Sequence, residues 1–113
     1  MAPKESYNRV KFQNSMTHEI NILLRQEFSD PRLQFVTITH VELNKDYSLA
    51  SVYWDTFDSN KRGDIKVAIE GVSKKMRSKL AQKLKLRHTP ALKFLYNSQY
   101  EEERKIEKLL QDT

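Results

Sequence analysis

The stretch FVTITHVELNKDYSLASVYWDTF, residues 35–57, decides the fold. Its first part, Phe35 to Leu43, is rich in β-branched residues, which pack well on a pleated surface and predict a strand. The alternation slips inside it. Val36 and Ile38 share one face, whereas Val41 and Leu43 fall on the other. A bulge near Thr39-His40 reconciles the two runs, because one extra residue flips the phase of the pleat. Asn44-Lys45-Asp46 predicts a turn. Ser48 to Phe57 predicts a second strand with Ala50, Val52 and Trp54 on one face. So short a connection makes the pair an antiparallel hairpin.

Working outward, Ser6 to Phe28 predicts a helix with Ser6 as N-cap. Met16, Ile20, Leu23, Leu24 and Phe28 recur at helical spacing and form one apolar stripe. Ser29-Asp30-Pro31 stops it, since proline disfavours helix in the residue before it. After the hairpin, Asp58 to Gly63 reads as a polar loop and Asp64 as the N-cap of a helix towards Leu86. Ile65, Ile69, Val72, Met76, Leu80 and Leu84 line its apolar side. Gly71 and Ser73 weaken it near the middle, so a kink or a break is expected there, written as two helices in the element order. Ala91 to Tyr96 predicts a third strand with Leu92, Phe94 and Tyr96 on one face. Tyr100 to Leu110 predicts a short tail helix with Ile106, Leu109 and Leu110 turned inward. The order is α-β-β-α-α-β plus a tail helix. It predicts an α+β domain over residues 1–97, with helices on one face of a three-stranded mixed sheet. Residues 98–113 form a C-terminal helical tail packed on it or extending from it.

The 113 residues suit one domain. There is no cysteine, which excludes disulfides and Cys-based zinc sites and agrees with a reducing cytoplasm. No apolar run reaches a signal-peptide core or a membrane span, so a soluble, cytoplasmic protein is expected. With glycine only at Gly63 and Gly71, no glycine-rich phosphate loop can be built. His18, His40 and His88 lie on different elements and lack metal-ligand spacing. No cofactor, metal or catalytic group is expected.

The strongest functional signal is one of charge. Lys74, Lys75, Arg77, Lys79, Lys83, Lys85 and Arg87 follow one another with no acidic residue among them, within a chain of net charge +5. On a helix, Met76, Leu80 and Leu84 take one side and most of the cations fan over the rest, Lys83 falling near the apolar edge. Solvated helix faces usually mix signs, because paired charges support the helix. A one-signed surface repels itself until a polyanion releases that strain, and phosphate backbone does so with release of counterions. A merely lysine-rich solvated face and an anionic lipid surface are the competing readings. The apolar side of the helix is needed for the core, which counts against lipid. Arg9 and Lys11, at the start of the first helix, are secondary candidates, and Arg9 and Arg32 have structural readings beside functional ones. Tyr47 and Tyr53 are the aromatics placed to stack on unpaired bases.

These residues together resemble ribosome-binding factor A, a bacterial family, over nearly the whole chain. The resemblance is carried by Arg9-Val10, Asp30-Pro31-Arg32-Leu33, Val36-Thr37-Ile38-Thr39 with Val41, and Asp46 followed by Ala50, Val52 and Tyr53. It continues through Leu84-Lys85-Leu86-Arg87, Pro90, Leu92, Phe94, Tyr96 and Asn97-Ser98, to Leu109-Leu110. It implies a KH-like domain of the second type, with a kink at an Ala-x-Gly step in place of the usual Gly-x-x-Gly loop. The matching positions here are Gly71, Val72, Ser73 and Lys74, which depart from that pattern. It further implies a non-enzymatic monomer that binds the free 30S small subunit and its 16S rRNA. Such a factor assists late rRNA processing beside assembly GTPases and supports growth in the cold. A generic single-stranded nucleic-acid-binding module and a basic protein-interaction adaptor are the rival functions.

Overall fold

The computed structural model describes residues 2–97, 106 and 108–110. Its elements are α1 (Ala2–Gln26), a 3-10 turn (Pro31–Phe35), β1 (Thr37–Leu43), β2 (Leu49–Asp55), a second 3-10 turn (Ser59–Lys61), α2 (Arg62–Leu84) and β3 (Ala91–Tyr96). The sheet order is β1-β2-β3, with β1 antiparallel and β3 parallel to the central strand. This is the expected α+β class and mixed sheet.

The expected bulge is present. The ladder shifts register between Ile38 and His40, so Ile38 and Val41 both turn into the core. Ala50, Val52 and Trp54 meet them from β2, and the α1 stripe Met16, Ile20, Leu23 and Leu24 covers them. Ile65, Ile69, Met76 and Leu80 of α2 complete the cluster, with Val72 and Leu84 partly buried at its edge.

The structure corrects four expectations. First, α1 begins at Ala2, so Ser6 lies inside the helix. Pro3 suits a first turn, where its missing N–H has no partner to lose. Second, Asp64 lies in the first turn of α2 and is not its cap. There its carboxylate still favours the helix dipole. Third, α2 runs unbroken through Gly71, Val72, Ser73 and Lys74, giving one helix where two were expected. Gly71 costs a helix only about 1 kcal/mol relative to Ala, and the buried residues on either side hold the axis together. Fourth, Ile106, Leu109 and Leu110 are exposed, because α1 and α2 already cover the inner face of the sheet. The rest of the expected tail helix lies outside the described residues. Strand ends also move: Phe35 closes the turn that Asp30 caps, its carboxylate accepting from the Arg32 backbone N–H at 3.0 Å.

Helix α1 also closes the free edge of β1. Asn21 donates to the Ile38 carbonyl at 3.1 Å and accepts from the Ile38 N–H at 2.9 Å. Gln13 accepts from the Leu43 N–H at 2.9 Å. Arg25 donates to the Leu33 and Val36 carbonyls. Unpaired edge groups invite another strand, and a helix lying over the edge prevents it. Asn21→Leu strips both partners from Ile38 and is expected to cost about 1–3 kcal/mol. Urea denaturation checks this, and an unchanged midpoint contradicts it.

Candidate nucleic-acid interface

The second half of α2, the exit loop 85–90 and the β1–β2 turn converge on one side of the domain. Between them lies an open cleft of about 1020 Å³, lined by Lys74, Arg77, Arg87, His88, Tyr47 and Asp46 among others. Arg77 holds the loop in place: its Nε donates to the Thr89 carbonyl at 3.2 Å and to the Pro90 carbonyl at 3.1 Å. Lys74 and Arg87 are exposed there and form no ion pair among the described residues.

The opposite wall is the turn. Tyr47 adopts φ 64°, a conformation that side chains rarely take, so its surroundings must enforce it. Asp46 accepts from the Ser48 hydroxyl at 2.6 Å, and Asn44 accepts from the Leu49 N–H at 2.9 Å. The Ser48 hydroxyl, then its N–H, hold the Asp46 carboxyl below its ordinary value of 3.8. That contribution is present above the ordinary value and is lost as pH falls through the lowered one. Arg9 fastens the turn to α1. It donates to the Leu43, Asn44 and Lys45 carbonyls at 3.3, 2.8 and 3.2 Å, and stacks on Tyr47 4.5 Å from the ring centre.

The candidate cations therefore divide. Lys74, Arg77 and Arg87 meet at the cleft. Lys75, Lys79 and Lys83 lie on the other flank of α2, along its seam with α1. There Lys75 sits 5.7 Å from the Phe28 ring centre, and Lys79 pairs with Glu27 at 3.1 Å. Lys83 lines a shallow hollow with Lys79, Glu27 and Leu23. Lys85 is exposed at the helix terminus, and Lys11 lies beside Leu84 and Leu86. Arg9 is committed to the turn, and Arg32 to Asp30 at 2.8 Å. Tyr53 stacks on His40, with ring centres 4.2 Å apart, on the sheet face away from the helices. Tyr47 was among the candidate aromatics, but His88 and Asp46 were not foreseen as parts of the site, because their approach to α2 is long-range and leaves no local pattern.

Lys85 ends α2 in the left-handed conformation, φ 53°, with its N–H on the Ala81 carbonyl. The Leu86 N–H bonds the same carbonyl at 3.0 Å. Glycine is the residue this position favours. Lys85→Gly is expected to stabilise the domain by about 0.5–1 kcal/mol, read as a higher urea midpoint; a lower one contradicts the reading.

A mixed sheet backed by two long helices, with cations gathered at one helix and its exit loop that form no ion pair among the described residues, defines a small basic α+β domain. The family model for ribosome-binding factor A matches residues 8–110. The ribosome-binding factor A of Nitrosomonas eutropha is 31% identical over 113 residues, covering 97% of this chain and 95% of that one. The crystal structure of ribosome-binding factor A from Thermus thermophilus matches with TM-score 0.70 at 25% identity, covering 78% and 94% of the two chains. A homology model of the Thermus thermophilus factor, fitted into a cryo-EM map of a 30S–RbfA complex, matches with TM-score 0.51 at 30% identity, covering 71% and 92%. The chain belongs to the ribosome-binding factor A family. Among the described residues, no helix is long and apolar enough to cross a membrane.

Proposed function

We propose that this protein binds the free 30S small ribosomal subunit through 16S rRNA and assists late rRNA processing and subunit maturation by binding alone. The observation that carries this is the placement of Lys74 and Arg87. Both line the cleft from its α2 and exit-loop side and form no ion pair among the described residues, in a member of a family with a relative fitted into a cryo-EM map of a 30S–RbfA complex. Backbone phosphates supply the missing partner charge. Lys85 and Lys11 extend the contact past the end of α2, and Lys75 and Lys83 offer a weaker one along the seam. Bound there, the protein holds an immature RNA junction in one conformation until an assembly GTPase or the finished fold displaces it.

Sucrose-gradient fractionation of a bacterial extract tests this. The protein is expected with free small subunits and not with translating ribosomes, and its association should weaken steeply as salt rises. Equal competition by unrelated single strands points instead to a generic nucleic-acid module. An association that survives nuclease treatment points to a protein adaptor.

A further inference from the structure

The other end of the sheet carries a second group of aromatic and cationic side chains. The hairpin ladder ends at the pair Thr37 and Asp55, and Phe35 and Phe57 each lie two residues beyond it. Phe35 is 46% exposed and Phe57 68%. Lys61 places its Nζ 4.5 Å from the centre of the Phe35 ring. Its neighbour Arg62 lies 5.1 Å from the centre of the Tyr96 ring. Tyr96 pairs in register with Trp54, one residue before Asp55, so these groups share one end of the domain. The cleft lies at the Asn44–Ser48 end.

We infer that this end is a second RNA contact. In it the Phe35 and Phe57 rings stack on unpaired bases, and Lys61 and Arg62 meet the phosphates between them. One exposed ring suffices to stack one base, whatever its identity. Two exposed phenylalanine rings offer far less apolar area than the roughly 800 Å² per partner of a stable protein interface. The cations favour a polyanion, because three nearby carboxylates among the described residues have other work. Asp30 is paired with Arg32 at 2.8 Å, and Asp58 accepts from the Asn60 N–H at 3.2 Å. Asp64 lies in the first turn of α2, where the dipole holds it. The cation resting on Phe35 need not leave the site when a base arrives; it swings from ring to phosphate. This contact shares its polymer with the function proposed above, but not its surface.

The test is an amide NMR titration of the whole protein with a single-stranded oligouridylate of about ten nucleotides, and separately with an RNA duplex of the same length. Wild type is compared with the double variant Phe35→Ser/Phe57→Ser. With the single strand, shifts are expected at residues 35–37 and 57–62, and affinity in the variant is expected to fall about tenfold or more. Duplex binding should not change. Should the serine variant unfold, Lys61→Glu/Arg62→Glu gives the same reading through charge. Shifts confined to residues 74–90, unchanged single-strand affinity in a folded variant, or loss of a protein partner alone would overturn the inference. The arms separate from the subunit reading: failure of wild type to travel with small subunits, beside shifts at 35–37 and 57–62, sinks that reading and leaves this one.

Discussion

Trp54→Ala is expected to destabilise the domain by about 3–5 kcal/mol. Trp54 is 1% exposed on the central strand, beneath α1 and α2, and meets Tyr96 edge-on with ring centres 4.9 Å apart. The helices cannot collapse into the void without abandoning the strand register they rest on. Domains of this size hold only about 5–15 kcal/mol in total, so the variant should sit close to unfolding at ordinary temperature. Urea denaturation followed by circular dichroism measures this. Trp54→Phe keeps most of the buried ring and should lose less than half as much. A loss under about 1 kcal/mol in the alanine variant would mean that the core repacks freely, contrary to the close packing described.

The second large effect concerns binding. Lys74→Glu with Arg87→Glu reverses the two cleft cations that form no ion pair among the described residues. Each substitution removes an attraction and adds a repulsion, and opposed like charges cost several kcal/mol. Affinity for small subunits is expected to fall about 100-fold or more at low salt. The slope of log affinity against log salt should flatten by roughly 0.7 per lost phosphate contact. Both side chains are exposed, so the circular dichroism spectrum should be unchanged. Lys79→Ala is the matched control. Its charge is already held by Glu27 at 3.1 Å, so a change under about threefold is expected. If Lys79→Ala weakens binding as much as the double reversal, the seam with α1 is the contact surface and the cleft is not.

What could be read from residues alone followed the range of the forces involved. The hairpin, its bulge, the third strand and the α1 stripe were legible because each is a local periodicity enforced by burial. The break at Gly71 was misread because propensity is a weak local term, and the packing of Ile69 and Met76 outweighs it. The acid-free run was legible as a signal but not as a surface. Which cations are free depends on Glu27, 52 residues away from Lys79 in sequence, and on carbonyls of a loop and a turn. Arg9 and Arg77 carry the same formal charge as Lys74, and only the folded chain separates them.

The clamp on Arg77 has a further effect. Carbonyl oxygens orient its guanidinium without discharging it, so the cleft contains one cation fixed before any ligand arrives. Freezing a flexible side chain on binding forfeits about 0.5–1.5 kcal/mol, and at this position folding has already borne that loss. Lys74 and Arg87 are exposed and make no such bond among the described residues. The two kinds of cation should part in calorimetry: deleting Lys74 removes an attraction offset by an entropy loss, whereas Arg77 supplies its attraction nearly undiminished.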